Sequence, residues 1–249
     1  MKLAFDRGGN GSRLLVLLHG LGATRHVWTN FIAASRWSGS WIAPDLRGHG
    51  ASDHAADYSL NAHAGDVAEL VRDAGEWNEI IALGHSMGGA IAMALACGAL
   101  GIVPKQVFGV GVKVAWNDDE LAGMRKMAAM PVKFFAARDE AISRYLKVSG
   151  LSGLIAPDSP GAVAGVVQTP EGWRLAYDPA TASIGAPPMK ELREAARAPI
   201  HLARGATDAM ISLAQLAMYD ANARDLPGGH NVMVENPRAV WDWVDESLK

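Results

Sequence analysis

The stretch "IIALGHSMGGAIAMALACG", Ile80 to Gly98, decides the fold. It begins inside Glu79 to Leu83, a short apolar run of the kind found in parallel strands covered on both faces. From Gly88 to Ala99 it is apolar all round, which suits a helix buried behind a sheet. Between the two halves stand His85 and Ser86, ringed by Gly84, Gly88 and Gly89. Strand, glycine-flanked serine and helix, in that order, are the context that gives a G-x-S-x-G motif its meaning. A sharp strand-to-helix turn holds the central serine in an unfavourable backbone conformation and lifts its hydroxyl off the sheet edge, while small neighbours prevent clashes. Ser86 is thus the candidate nucleophile. The turn also aims helix N-terminal amides at the reacting centre, which makes the N–H of Met87 a candidate oxyanion donor.

A serine hydroxyl is a weak nucleophile at neutral pH and needs a base, and that base needs a third group to orient it. His230 lies in "LPGGHNVMVENP", just before the final helical segment, where Gly228 and Gly229 free the loop to turn its imidazole toward the sheet. Asp208, in "RGATD", follows the strand-like run Ile200 to Ala203, at the carboxyl end where sites in open parallel sheets gather. Asp118 and Asp119, after the run ending at Val114, are alternative positions for the acid. His19-Gly20-Leu21-Gly22 follows the run "LLVLL", and the N–H of Leu21 is the second candidate oxyanion donor.

Further strands are expected at Leu3 to Asp6, Arg13 to Leu18, Trp41 to Ala43 and Val107 to Val114. Helices are expected after Ser59, which can cap a stripe of Ala62, Asp66, Val67, Leu70 and Val71 with Asp66, Glu69 and Arg72 near its edges, and from Pro237 to Leu248. Strand and helix alternate, which predicts an α/β protein with a mostly parallel central sheet and helices on both faces. The rhythm fails between about Val114 and Pro188, where Met, Phe, Tyr, Leu and Trp residues are scattered among Gly, Pro and Ser. That segment is read as an inserted, mainly helical cap. The expected organisation is a core over 1–115, the cap over 116–190 and the rest of the core over 191–249.

Composition narrows the function. With 49% hydrophobic and 20% charged residues among 249, the chain is an ordinary globular one. A net charge of −3 without Lys/Arg runs gives no reason to expect a nucleic-acid partner. No apolar stretch reaches the roughly 20 residues that span a bilayer, and Met1-Lys2-Leu3-Ala4 opens no signal segment, so a soluble cytoplasmic protein is expected. The single cysteine, Cys97, is read as a packing residue in a reducing compartment. Neither a dinucleotide fingerprint nor a closely spaced metal-ligand set is present, so no cofactor and no metal are expected.

With HGLG at His19 to Gly22, "DLRGHGAS" at Asp45 to Ser52, GHSMG at Gly84 to Gly88, GATD at Gly205 to Asp208 and the His230 loop, the chain resembles the α/β-hydrolase superfamily over nearly its whole length. The motifs fall in family order, and Glu235 and Pro237 resemble that family's usual run into its last helix. The resemblance is to capped serine hydrolases of esterase type, and the cap is the part to which it assigns least. HGLG lacks the extended glycine motif of hormone-sensitive-lipase-like esterases and the HGxGPG pattern common among members that cleave carbon–carbon bonds. His19, His49, His85 and Arg47 are read as residues that hold loops. Trp116, just after a strand, is the candidate wall of the substrate pocket.

The function these features imply is hydrolysis of a small-molecule carboxylic ester through an acyl-enzyme. Ser86 attacks, His230 moves the proton, Asp208 orients the ring, and Leu21 and Met87 hold the oxyanion. Two alternatives share the fold. The same triad can act on a lactone, a thioester or a carbon–carbon bond beside a ketone, and a receptor of this fold can bind a small molecule with little turnover.

Overall fold

A computed structural model describes all residues, 1–249. Nine strands form in chain order: β1 Phe5–Gly8, β2 Arg13–Leu18, β3 Ser40–Pro44, β4 Glu79–His85, β5 Gln106–Val110, β6 Val166–Thr169, β7 Gly172–Leu175, β8 Ile200–Gly205 and β9 Arg224–Leu226. Seven make one sheet in the order β1-β3-β2-β4-β5-β8-β9. Only the edge strand β1 runs antiparallel, against β3; every other pairing in this sheet is parallel.

Alternation along β2 shows why the sheet is covered twice. Leu14, Val16 and Leu18 point into one apolar cluster and Leu15 and Leu17 into the other, following the two-residue period of a strand. The first cluster holds helices α2 (Leu60–Asp73), α3 (Met87–Ala96) and α7 (Met189–Ala195) against one face. The second holds α1 (Thr29–Ala34) and the last helix, α10 (Pro237–Ser247), against the other. Every residue of α3 is buried, as befits an all-apolar sequence, whereas α10 buries the stripe Val240, Trp241, Trp243 and Val244. Ser59 caps α2 by accepting from the N–H of Ala62 at 3.3 Å.

Between β5 and β8 the chain leaves the sheet through α4 (Asp118–Ala128), α5 (Arg138–Val148), α6 (Pro160–Val163), the hairpin β6–β7 and a 3-10 turn at Pro179–Ile184. It rejoins the core with Met189 and Leu192 of α7, and two short helices, α8 (Leu213–Leu216) and α9 (Val232–Glu235), follow β8 and β9. The hairpin is a feature that apolar periodicity did not indicate, because its four-residue strands are half exposed and carry no continuous apolar run. Helix α5 is anchored by buried Ala141, Ile142, Tyr145 and Leu146, while α4 buries none of its residues completely. Strand β5 stops at Val110, four residues short of the expected end at Val114.

Candidate active site

The carboxyl ends of β2, β4, β5, β8 and β9 lie side by side, so the segments that follow them converge on one edge of the sheet. Ser86 follows β4 directly, at φ 51° and ψ −117°, and is the one non-glycine residue in the chain with positive φ. Such a conformation costs on the order of 1–3 kcal/mol and persists only where its surroundings enforce it. Here the enforcement is steric. A Cβ on Gly84 would lie 2.2 Å from the carbonyl oxygen of Gly88, and one on Gly88 would lie 2.2 Å from that of Leu18. Strand and helix thus meet backbone to backbone, closer than any side chain permits. The Ser86 N–H donates to Val110 O at 3.0 Å, which ties the turn to β5.

Asp208 and His230 come together across 22 residues: His230 Nδ1 donates to Asp208 Oδ2 at 2.7 Å. The Asp208 side chain is buried, 1% exposed, and its other oxygen accepts from the N–H of Met210 at 2.8 Å. Burial works to raise the carboxyl pKa; the bond from His230, that ring's charge and the Met210 amide outweigh it, so the pKa lies below the ordinary value. Asp118 and Asp119 instead sit exposed in the first turn of α4. The His230 ring packs beside His85, with centroids 4.7 Å apart, and so beside the Ser86 turn. Neither His230 Nε2 nor Ser86 Oγ hydrogen-bonds within the chain, and Ser86 lines a cleft.

The neighbouring histidines hold backbone. His85 Nε2 donates to His230 O at 2.9 Å, fixing the loop that carries the ring. His19 accepts from the Leu46 N–H at 2.9 Å through Nε2, and its Nδ1 lies 2.8 Å from Gly20 O. His49 accepts from the Gly22 N–H at 3.1 Å, with Nδ1 3.0 Å from Arg47 O. Each of the last two rings therefore needs one N–H and one lone pair, the neutral form, and burial drives His19 to about 4 and His49 to about 3. Arg47 pairs with buried Asp66 at 2.7 Å. Asp66 is thus a buried ion-pair partner, not the stripe-edge residue its spacing suggested.

A cleft of about 120 Å³ opens at Ser86. Leu21, Met87 and Ala90 line it from the core, and Trp116, Met124 and Ile184 line it from the excursion between β5 and β8. The Leu21 N–H has no acceptor in the chain, and that of Met87, first in its helix, has none within the helix. Both candidate oxyanion donors and Trp116 thus share a cavity with Ser86. No group of three or more His, Cys, Asp or Glu side chains converges as a metal site, and no helix is long and apolar enough to cross a membrane.

Sequence reasoning missed Asn231. Its side-chain amide donates to Ser149 O at 3.2 Å and Gly150 O at 3.1 Å, which joins the His230 loop to the end of α5. Its position next to His230 was the only available signal, because nothing in the spacing of an irregular segment reveals which carbonyls it will face.

The profile of the alpha/beta hydrolase family matches residues 15–243, and the chain belongs to that family. Among characterised relatives, it is 32% identical over 180 residues to the magnesium-chelatase 30 kDa subunit of Rhodobacter capsulatus, covering 67% of this chain and 61% of that one. It is 28% identical over 186 residues to the pimeloyl-[acyl-carrier protein] methyl ester esterase of Methylococcus capsulatus, covering 67% of this chain and 70% of that one. The chain spans only part of the curated relatives it matches, 27% of the length of three mycobacterial proteins and 61% of the magnesium-chelatase subunit. A thioesterase domain from the curacin biosynthetic pathway shares the fold at TM-score 0.79 and 18% identity, covering 98% of this chain and 95% of that one.

Proposed function

We propose that this protein is a serine hydrolase that cleaves small-molecule carboxylic esters through an acyl-enzyme. The observation that carries the reading is the 2.7 Å bond between Asp208 and His230 beside a strained, glycine-walled Ser86. In the first step Ser86 Oγ attacks the ester carbonyl while His230 Nε2 takes its proton. The tetrahedral oxyanion is held by the N–H groups of Leu21 and Met87, each worth roughly 3 kcal/mol to the transition state. Collapse expels the alcohol, which takes the proton from His230. Water, deprotonated by the same ring, then releases the acid and restores Ser86. Asp208 fixes the ring so that Nε2 faces the serine, and it stabilises the imidazolium that forms. Trp116 walls the substrate cleft. These steps draw on side chains, backbone and water, and the single half-buried cysteine suits a reducing, cytoplasmic setting.

The test is a comparison of kcat/KM on matched ester, lactone, thioester and vinylogous diketone substrates, with Ser86→Ala as control. The ester is expected to lead, and Ser86→Ala to abolish acylation without loss of fold. A preference above about a hundredfold for the diketone would replace ester hydrolysis by carbon–carbon cleavage. Stoichiometric labelling by a fluorophosphonate without turnover of any substrate would mark a receptor.

A further inference from the structure

A second cavity, which the triad does not use, lies beside the cleft at Ser86. Met127 and Met130 line it from α4 and the residues just after it, with Phe135 and Leu175 contributing further apolar wall. Its walls continue those of the first. Helix α4 gives Met124 to the Ser86 cleft and Met127 to the second cavity, roughly 4.5 Å further along the helix axis. The 3-10 turn gives Ile184 to the former and Pro179 to the latter, roughly 10 Å apart. The oxyanion loop touches the lining of both: Leu21 lines the Ser86 cleft, while Gly22 is packed so closely on Val148, a wall of the second cavity, that an added Cβ would lie 3.1 Å from it. A short alkyl chain spans that separation.

The two cavities differ in charge. Lys113, at the Ser86 cleft, is neutralised by Glu120 at 2.6 Å. Lys133 and Arg144, at the second cavity, form no ion pair and donate no hydrogen bond within the chain; Lys133 lies 5.0 Å over the Phe135 ring. Asp139 and Glu140 border the shallow outer groove beside Lys133 without reaching ion-pair distance. Tyr177, only 8% exposed, also lines the cavity, and its hydroxyl has no hydrogen-bond partner in the chain. Two uncompensated cations and an open phenol at the mouth of an apolar cavity are complementary to a chain that is greasy along its length and anionic at its end. A guanidinium fork suits a carboxylate or a phosphate equally.

We propose that the second cavity is the subsite for the anionic end of an elongated ester, whose chain runs from Ser86 past Gly22 to Arg144, Lys133 and the Tyr177 hydroxyl. This rests on ester hydrolysis at Ser86. The test measures kcat/KM for p-nitrophenyl esters from butanoate to dodecanoate, each with its acyl chain ending in methyl, carboxylate or phosphate. The readout is the ratio of anionic to neutral ester at equal length. In the native protein one length is expected to show a ratio of about ten or more, falling with added salt. Arg144→Glu with Lys133→Gln is expected to bring the ratio below one. The carboxylate and phosphate arms show which anion the subsite takes. Turnover of neutral esters with a ratio at or below one throughout, or a ratio that the double variant leaves unchanged, overturns the subsite and leaves ester hydrolysis standing. Absence of turnover on every ester overturns both.

Discussion

Lowering the pH from about 7 to about 5 is expected to destabilise the protein through buried histidines that the fold keeps neutral. His19, His49 and His63 are fully buried, and burial takes them from 6.5 to about 4, about 3 and about 3 respectively. For His19 and His49 the bonding explains the refusal of a second proton: a backbone N–H already points at each Nε2, so protonation would set donor against donor. His63 has no partner at either ring nitrogen. Because the folded values lie below the unfolded one, the unfolded chain binds more protons between them. Stability is therefore full above about pH 6.5 and falls as pH drops toward the folded values. Each refused proton contributes about 1.4 kcal/mol per pH unit at full slope, so three lose about 5 kcal/mol between pH 7 and pH 5. That is a large share of the roughly 5–15 kcal/mol that holds a domain together. His85, lowered by burial and by the charge of His230, acts in the same direction. Urea unfolding at a series of pH values reads the slope directly. His63→Phe should flatten it by about a quarter. A free energy of unfolding that stays level or rises from pH 7 to about 5 would refute the reasoning.

Other perturbations address the turn, the proposed triad and its support. Gly88→Ala places a methyl group 2.2 Å from the Leu18 carbonyl oxygen, where only backbone could yield. It should cost about 3 kcal/mol and lower Tm by about 10 °C in a thermal scan, and an unchanged Tm would contradict the close approach. Asp208→Asn should leave Tm nearly unchanged and lower kcat by about a thousandfold or more, because the ring loses its orienting carboxylate; a loss under about tenfold would remove Asp208 from the triad. Asn231→Ala severs two hydrogen bonds between the His230 loop and the end of α5. It should cost about 1–2 kcal/mol in urea unfolding and lower kcat more than it changes KM.

How much of this could be read from residues alone depends on where the physics is local. Strand β2 was legible because "LLVLL" has no other comfortable home than a sheet covered on both faces, and α10 because a proline start precedes an apolar stripe at helical spacing. The Ser86 turn was legible because close backbone approach leaves glycine as the one residue that fits, so the constraint is written into the sequence itself. Asp208 could be placed at a strand end and His230 in the loop before the last helix, but the choice between Asp208 and Asp118 or Asp119 depends on how the excursion after β5 folds. That excursion is where legibility fades. Its hairpin strands are four residues long and half exposed, and α4 touches the rest of the molecule with a methionine-rich face that buries nothing completely. Asp66 shows the converse, since helical spacing put it at the edge of an apolar stripe, and only a partner 19 residues away, Arg47, makes its burial tolerable.

The central claim is that the strained turn makes Ser86 a nucleophile served by His230. Fluorophosphonate treatment followed by peptide mass mapping tests it most directly, because the reagent phosphonylates only an activated hydroxyl. The account predicts one adduct per chain, on the peptide carrying Ser86, formed far more slowly in His230→Ala. An adduct on another residue, or labelling of Ser86 at the same rate without the His230 imidazole, would contradict it.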